Sequence, residues 1–569
     1  MLASLATAQP ETIKGAQVID RLRTLIYPPE WQAWVDPEVP EYFSPTSYLL
    51  DRHVENGEGD RVALRVDGDA VTYSELLSAV GRAANSLSDA GVRSEDRILL
   101  FGSDSLEYLS CWLGAVRIGA VPAVVSDRYP ADQLQYFLRD TAARALLIDV
   151  EQWDKLTSIA DDLPEALSVV VVRAGSTDEF DRSVCRTGIE VLSLGELLEG
   201  RSSSRTPTRR HANDIAYMFY SGGTTGTAKG IVHLAHDFLL VPERQGAFWS
   251  IDRNDVCFAT SKKYFTHGLW PGVLIPLYFG GTGIIRRDSP SAEQVIDVVE
   301  TERPTVLITV PTVLKLLVGH ARESGATSDF SSLRMVVSAS EKMPDVLFER
   351  FLEHFGVEVL DSIGSSEITY EWLANRPEHS RRGSVGKPVY GFEVKLMDAM
   401  GAEVTEPQHP GEAWVKSRTA CLFYWRKLDR TKEVFQGQWT RTGDVLEFDE
   451  DGFFWFSSRS DDLFKVRGLW VSPVEVEDCL MRHPAVVEAA VIPMTDREGL
   501  TAVKAVVVLR EGRTQSESLT EELRDHAAEV GRYKAPAIVE YVDALPRTTL
   551  QKIDRRALRN RDGATGATP

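Results

Sequence analysis

Cysteine is scarce. The 569-residue chain holds five, Cys111, Cys185, Cys257, Cys421 and Cys479, scattered and with no C-x-x-C pair. That excludes a disulfide-built scaffold and implies reduced thiols in a cytoplasmic compartment. Long apolar runs are missing too: no uncharged stretch approaches the ~20 residues of a membrane span. The first eight residues lack the basic n-region and apolar core of a signal peptide. Positive charge is outnumbered, with 63 Lys and Arg against 84 Asp and Glu and a net charge of −21. So acidic a surface argues against nucleic acid or anionic membrane as the main partner. Any site for a polyphosphate must therefore gather its positive charge locally. No G-x-S-x-G elbow marks a hydrolase serine. His233 and His236 have no H-E-x-x-H context and no further Cys or His partner, so they read as structural rather than metal-binding.

What the chain does have is length and one unusual loop. Its 569 residues exceed a single hydrophobic core, so two or more domains are expected. The apolar run Tyr217-Met218-Phe219-Tyr220 leads into Ser221-Gly222-Gly223-Thr224-Thr225-Gly226-Thr227, all Ser, Gly or Thr. Ala228 and Lys229 follow, then a second apolar run. A strand thus delivers a loop of little bulk, whose backbone N–H groups can approach a polyanion closely. The hydroxyls of Ser221, Thr224 and Thr225 add donors, and Lys229 adds a mobile positive charge suited to phosphate. It is not a Walker A loop, because Lys229 stands between Ala228 and Gly230.

Around this loop the chain alternates strands and helices. Residues up to about 44 read as an arm packed on the body. An alternating strand spans 61–66, and Thr72-Tyr73-Ser74-Glu75 is a capping box. The helix after it carries Leu76, Leu77, Val80, Ala84 and Leu87 on one face and ends at Gly91. Strands are expected at 97–101, 121–125, 306–310, 335–338 and 357–360, with a helix at 106–118. This grammar implies a layered α/β body with a parallel sheet, arranged as two α/β halves over 60–200 and 215–370. From Gly383 the texture turns to β, with a hairpin of 445–448 and 453–456 about the turn 449–452. Charged residues 458–462 read as a linker. The last hundred residues read as a small α+β domain with strands at 486–492, 503–509 and 538–542 and a helix over 519–530. The tail 563–569 reads as disordered.

Further motifs fall in order along the chain. Ser362-Ile363-Gly364-Ser365-Ser366-Glu367 follows a strand, and ligands bind at the carboxyl ends of strands in α/β sheets. There Ser366 can donate to a phosphate, and Glu367 offers a hard oxygen to Mg²⁺. Thr442-Gly443-Asp444 fits a β-turn aspartate as well as a ribose contact. The run 459–477 and the stretch Pro546-Arg547-Thr548-Thr549-Leu550-Gln551-Lys552 complete the set.

Taken with the loop, these motifs closely resemble those of the adenylate-forming superfamily, which comprises acyl-CoA synthetases, peptide-synthetase adenylation domains and firefly luciferase. The resemblance covers about residues 45–560. It implies that Ser221, Gly222, Thr224, Thr225, Gly226 and Lys229 bind ATP, together with Ser340, Glu341, Asp361 and Ile363. Asp444 would clamp the ribose, and Arg459 would contact ribose or phosphate. Glu367 would hold the metal, and Ser366 and Lys552 would be catalytic. Lys552 would bridge the substrate carboxylate and the α-phosphate. Asp461 matches the hinge position, and Lys465, Arg467 and Gly468 would line the CoA channel. Tyr264, His267, Gly268 and Gly364 would line the acyl pocket, although 263–270 also fits an ordinary aromatic core segment. Three positions depart from the family's usual glycine: Ser340, Ser458 and Gln551.

The reading that results is an AMP-forming carboxylic acid:CoA ligase similar to benzoate-CoA ligases. Its expected substrates are ATP, coenzyme A and a bulky aryl or alicyclic acid, with Mg²⁺ as cofactor. The expected division is an N-terminal domain over 1–457, a hinge over 458–462 and a C-terminal domain over 463–569. Two alternatives stand beside it. One is an adenylation enzyme that hands the acyl group to a carrier protein. The other is a nucleotide-binding protein without ligase activity. Monomer and homodimer both remain open.

Overall fold

In the strand Arg97–Phe101, Ile98 and Leu100 enter one core while Leu99 and Phe101 enter another. Side chains alternate across a strand, so a run of four apolar residues signals a sheet covered on both faces. The computed structural model describes residues 22–175, 180–221, 228–325, 327–467, 469–496, 500–548 and 553–565. Among them the chain builds two large, mainly parallel sheets, a smaller antiparallel sheet and a separate C-terminal unit. The first sheet runs in the order Phe423–Tyr424, Lys229–Leu234, Ile215–Ser221, Val121–Val124, Arg97–Phe101, Ala145–Asp149, Val169–Arg173, Glu190–Ser193. The second centres on Val359–Gly364, Met335–Ser338, Val306–Thr309, Val256–Ala259 and Thr282–Ile285. The largest core lies between the two sheets, and each sheet has a further core on its outer face. The fold is therefore α/β, with a large layered body and a small C-terminal α+β domain.

The helix Tyr73–Asp89 shows how the sequence sets local structure. The Thr72 hydroxyl accepts the Glu75 N–H and the Glu75 carboxylate accepts the Thr72 N–H, so two orphan donors are paired. Such a cap contributes about 1 kcal/mol. Leu76, Val80, Ala84 and Leu87 are buried on one face, as the spacing predicts, whereas Leu77 is only half-buried against the same core. The strands expected at 97–101, 121–125, 306–310 and 335–338 are present to within a residue, and the one expected at 357–360 begins and ends later, at Val359–Gly364.

The two halves are not sequential. Val62–Val66 pairs in parallel with Thr282–Ile285 of the second sheet. Ile215–Ser221 pairs in parallel with Val121–Val124 of the first. The hairpin Val62–Thr72 covers an edge of the second sheet that would otherwise expose unpaired backbone groups. Each sheet thus takes strands from both stretches.

From residue 383 to 459 the chain is mainly β, as its texture implies, with one helix at Leu428–Val434. Glu393–Met397, Gly411–Lys416, Trp439–Phe448 and Phe454–Arg459 lie antiparallel. The last strand runs through Arg459, which faces Asp444 in the ladder. The C-terminal unit has its own core, centred on Val476, Leu480, Val491, Val507 and Leu523. Its helix Arg555–Thr565 extends into the stretch expected to be disordered; residues 566–569 lie outside the described residues. That helix is anchored by Arg555, whose guanidinium donates to both oxygens of buried Glu477.

Candidate active site

The site forms where the end of the first sheet that carries Phe423–Tyr424, Lys229–Leu234 and Ile215–Ser221 meets the carboxyl end of a strand in the second. Ile215–Ser221 and Lys229–Leu234 are antiparallel, and Ser221 opposite Lys229 is their last pair. The loop they present includes Gly222, Thr224, Thr225 and Gly226, which lie outside the described residues. Lys229 extends its ammonium over the Tyr424 ring, 5.0 Å from the centroid. Burial lowers its pKa, and Glu367 opposes that shift, with Arg430, Arg459 and Asp461 also within electrostatic reach.

Glu367 sits on the single 3-10 turn Ser366–Ile368, just after Val359–Gly364. Its Oε1 accepts the Tyr424 hydroxyl at 2.7 Å. Its backbone carbonyl accepts the Cys421 N–H at 2.7 Å. The Ser366 carbonyl accepts His233 Nε2–H at 2.8 Å, and the same ring faces Asp237 Oδ2 at 3.0 Å. His233 is fully buried and stacks on Tyr217 at 4.8 Å. It braces the turn that carries Ser366 and Glu367, while His236 is held by Asn213 and the Arg418 carbonyl. Both histidines are structural.

Asp444 and Arg459 are cross-strand neighbours joined by an ion pair. Asp444 is 3% exposed, whereas 53% of the Arg459 side chain is exposed, so the guanidinium remains open to a ligand. Asp444 raises the Arg459 pKa above its usual range, and Glu367 and Asp461 add to the effect. Lys229, Glu367, Asp444, Arg459 and Asp461 thus form one charged group, drawn from four separate stretches of sequence.

Ser340 takes a left-handed backbone, φ +76°, which accounts for a glycine preference at such a position. The neighbouring Glu341 accepts the Thr312 hydroxyl at 2.8 Å. Asp361 is 4% exposed; its backbone carbonyl takes the Asn375 side-chain amide at 2.9 Å, and burial raises its carboxyl pKa strongly. Ile363 packs at the edge of the main core.

His267 and Gly268 lie on the short helix Thr266–Leu269, just after Tyr264. His267 Nε2–H donates to the Thr309 carbonyl at 2.9 Å, and burial pushes its pKa down to about 4. Tyr264 is 7% exposed. Gly268 and Gly364 permit close backbone approach: a Cβ would meet the Lys262 carbonyl oxygen at 2.2 Å from the first and the Tyr370 carbonyl oxygen at 2.5 Å from the second. Glu371, opposite Gly364 in the ladder, comes within 3.7 Å of His267.

On the C-terminal unit, Lys465 and Arg467 are exposed on the hairpin Phe464–Val466 and Leu469–Val471. Gly468 and Lys552 lie outside the described residues, as does Gln551. The chain on either side of Lys552 is described: Arg547 bridges to Ile553 and bonds Glu488, which also pairs with Lys315 of the body at 3.1 Å. Sequence reasoning missed Tyr424, Thr312 and Glu371. Each lies outside the recognised motif residues, and only the fold brings it to them.

A family model described as AMP-binding enzyme matches residues 50–425, and one described as AMP-binding enzyme C-terminal domain matches 475–552. The chain is 33% identical over 513 residues to the 4-hydroxybenzoate–CoA/benzoate–CoA ligase of Rhodopseudomonas palustris, covering 90% of this chain and 93% of that one. It is 31% identical to the benzoate–CoA ligase of Thauera aromatica, with 92% and 97% covered. Among solved structures, an anthranilate CoA ligase in complex with anthranoyl-AMP superposes with a TM-score of 0.85 at 32% identity, covering 93% of this chain and 99% of that one. A benzoate CoA ligase from Burkholderia xenovorans superposes at 0.80 with 30% identity, covering 91% and 100%. A class defined by an adenylate-binding body and a small C-terminal domain thus fits the whole of the described fold. The chain belongs to the AMP-binding enzyme family.

Proposed function

We propose that this protein is an ATP-dependent aryl-acid:CoA ligase that forms AMP. The observation that carries the reading is the convergence of Lys229, Glu367, Asp444, Arg459 and Asp461. An otherwise acidic chain gathers Lys229 and Arg459 about a carboxylate suited to Mg²⁺. The substrate carboxylate attacks the α-phosphorus of ATP, a new P–O bond forms, and pyrophosphate leaves with the electron pair of the broken anhydride bond. The CoA thiol then attacks the acyl carbon, its proton is lost, and AMP leaves.

Lys229 and the loop 221–227 bind the phosphates, and Asp444 takes the ribose hydroxyls. Glu367 fits a hard cation: one of its oxygens is fixed by the Tyr424 hydroxyl, and it lies on a turn braced by His233. Mg²⁺ bound there supplies charge neutralisation on the phosphate oxygens. Ser366 donates to the α-phosphate, and Lys552 bridges that phosphate and the carboxylate. The C-terminal domain turns about Asp461 between the two steps, withdrawing Lys552 and presenting Lys465, Arg467 and Gly468 to CoA.

Pyrophosphate release and CoA-thioester formation, measured separately over aryl, alicyclic and fatty acids, test the reading. Turnover of an aryl acid through both steps is expected. Adenylation without transfer to CoA would favour a carrier-protein thiol as acceptor, and no pyrophosphate release with any acid would overturn the ligase reading.

A further inference from the structure

In the C-terminal domain the helix Pro473–Arg482 packs on the helix Glu517–Ala527 and on the 3-10 turn Ala528–Val530 that follows it. Three residues of different chemistry meet at that seam. Cys479 comes from the first helix, His526 from the second and Glu529 from the turn, and one ligand-capable atom of each lies within 4.8 Å of the other two. Cys479 is fully buried, and its thiol donates to the His526 carbonyl at 3.2 Å. The Glu529 carboxylate is exposed and faces His526 Nδ1 at 3.3 Å. His526 Nε2 is buried and has no hydrogen-bond partner among the described residues.

Hydrogen bonds alone do not settle this ring. A neutral imidazole has one N–H and one lone pair. With the proton on Nδ1, the buried Nε2 lone pair meets no described donor. With the proton on Nε2, the Nδ1 lone pair faces a carboxylate, which is another acceptor. Protonating both gives Glu529 an ion pair but strands the buried Nε2–H. Leaving a buried polar atom unpaired is costly, so the arrangement calls for an explanation. A metal ion accepts the lone pair that no donor satisfies, and a thiol and a carboxylate already stand beside it.

We propose that this group is a zinc site, held by the Cys479 thiolate, one ring nitrogen of His526 and the Glu529 carboxylate, with water as the fourth ligand. On binding, the thiol gives its proton to solvent and gives up its bond to the His526 carbonyl, and a sulfur lone pair forms the Zn–S bond. Zinc takes sulfur at about 2.3 Å and nitrogen or oxygen at about 2.0–2.1 Å, so tetrahedral ligand atoms stand about 3.3–3.6 Å apart. The 3.3 Å between His526 and Glu529 already has that spacing, and side-chain rotation closes the rest. The His483 ring lies 5.5 Å away, but its Nδ1 accepts the Ala485 N–H at 3.3 Å, so it borders the group without joining it. A thiolate with an imidazole selects Zn²⁺ over Mg²⁺, which sets this site apart from the hard carboxylate of Glu367. The ion staples the two helices of the C-terminal domain, and it does so whether or not the ligase reading holds.

The test uses the full-length protein, stripped with a chelator, dialysed, and titrated with Zn²⁺ against a chromogenic zinc chelator. One tightly held Zn²⁺ per chain is expected, undisturbed by excess Mg²⁺. Cys479→Ser and His526→Gln should each weaken it by more than about tenfold, since even an outer partner of a metal ligand is worth that much. Cys185→Ser, which removes a half-buried thiol elsewhere, should leave the affinity unchanged. Co²⁺ in place of zinc should show the near-ultraviolet charge-transfer band of a cobalt–thiolate bond, lost in Cys479→Ser. Zinc should also raise the Tm of wild type and not that of Cys479→Ser. Failure of wild type to retain zinc overturns the proposal. So does an affinity that Cys479→Ser and His526→Gln leave unmoved, or one lost in Cys185→Ser instead. If Cys479→Ser does not fold, the His526→Gln affinity and the cobalt band of wild type decide.

Discussion

Replacing Tyr424 by phenylalanine removes one oxygen and tests how Glu367 is held. The Tyr424 hydroxyl donates to Glu367 Oε1 at 2.7 Å, and its ring lies 5.0 Å from the Lys229 ammonium. Phenylalanine keeps the ring, and so keeps the cation–π contact and the packing against Ile231, Cys421 and Val434. Only the hydrogen bond goes. A bond to a charged group contributes about 1.5–3 kcal/mol, but Glu367 is partly exposed and water screens part of that, so about 1–2 kcal/mol is the reasonable range. If the bond serves to fix the carboxylate for Mg²⁺, that energy is lost from the transition state, and kcat/KM for MgATP falls about 5- to 30-fold. Steady-state pyrophosphate release at varied MgATP reads this, with a Mg²⁺ titration at fixed ATP beside it. Thermal stability should change little, because no cavity forms. A Tyr424→Phe enzyme with unchanged kcat/KM and unchanged Mg²⁺ dependence would refute the idea that this hydroxyl orients Glu367.

Lys552→Ala should abolish adenylate formation yet largely spare thioester formation from supplied acyl-AMP; equal loss in both half-reactions would remove its assigned role. Glu367→Gln should raise the Mg²⁺ concentration needed for half-maximal pyrophosphate release, and normal turnover at limiting Mg²⁺ would leave it a turn residue. Burial pushes Glu371 up to about 8 from 4.5. Its folded pKa exceeds its unfolded one, so the neutral acid's stability is fully present below about pH 4.5 and is lost as pH rises towards 8. Glu371→Leu should therefore gain Tm over wild type as pH goes from 5 to 8, by on the order of 3 kcal/mol of stability at the upper end; a gap independent of pH refutes this.

The sequence disclosed the order of elements better than their partners. The apolar run at 97–101 and the box at Thr72 and Glu75 are local signals, decided by residues within a few positions, and the structure follows them. Sheet membership is not local. Nothing in 62–66 says that its neighbour will be Thr282–Ile285, because any exposed parallel edge of the right polarity satisfies the same backbone groups. The same limit governs the site. Ser221, Lys229, Glu367 and Asp444 stand out as candidates in the sequence because each sits in a short motif whose composition suits phosphate, metal or ribose. Tyr424 and Glu371 were not. Tyr424 reads as an apolar strand residue, and Glu371 as a glutamate at the start of a strand. Each becomes informative only through a contact, 57 residues away in the first case and at His267 in the second.

The hinge can be argued from contacts as well as from resemblance. The Ser460 N–H donates to the Gly443 carbonyl at 2.8 Å, which fixes the chain up to that point. Asp462 pairs with Arg559 at 3.1 Å, which fixes it to the C-terminal helix. Asp461 lies between these two anchors and is exposed, and it is the proposed pivot; rotation there would have to release the Asp462 and Leu463 N–H groups, which donate to the Arg459 carbonyl at 3.1 and 3.3 Å. In the present arrangement the C-terminal domain meets the body through Lys342 with Asp478 and Lys315 with Glu488, and Glu488 also holds Arg547. Helix Pro311–Ser324 carries both Lys315 and Thr312, the partner of Glu341. Arg547 is thus tied through Glu488 and Lys315 to the helix that also holds Glu341. Asp461→Pro locks φ near −65°, whereas a hinge residue must change its backbone angles between two states. Acyl-AMP synthesis should persist while CoA-thioester formation is blocked. Pyrophosphate exchange and thioester production, assayed separately, give the answer: normal rates in both would mean that the domain does not turn about Asp461.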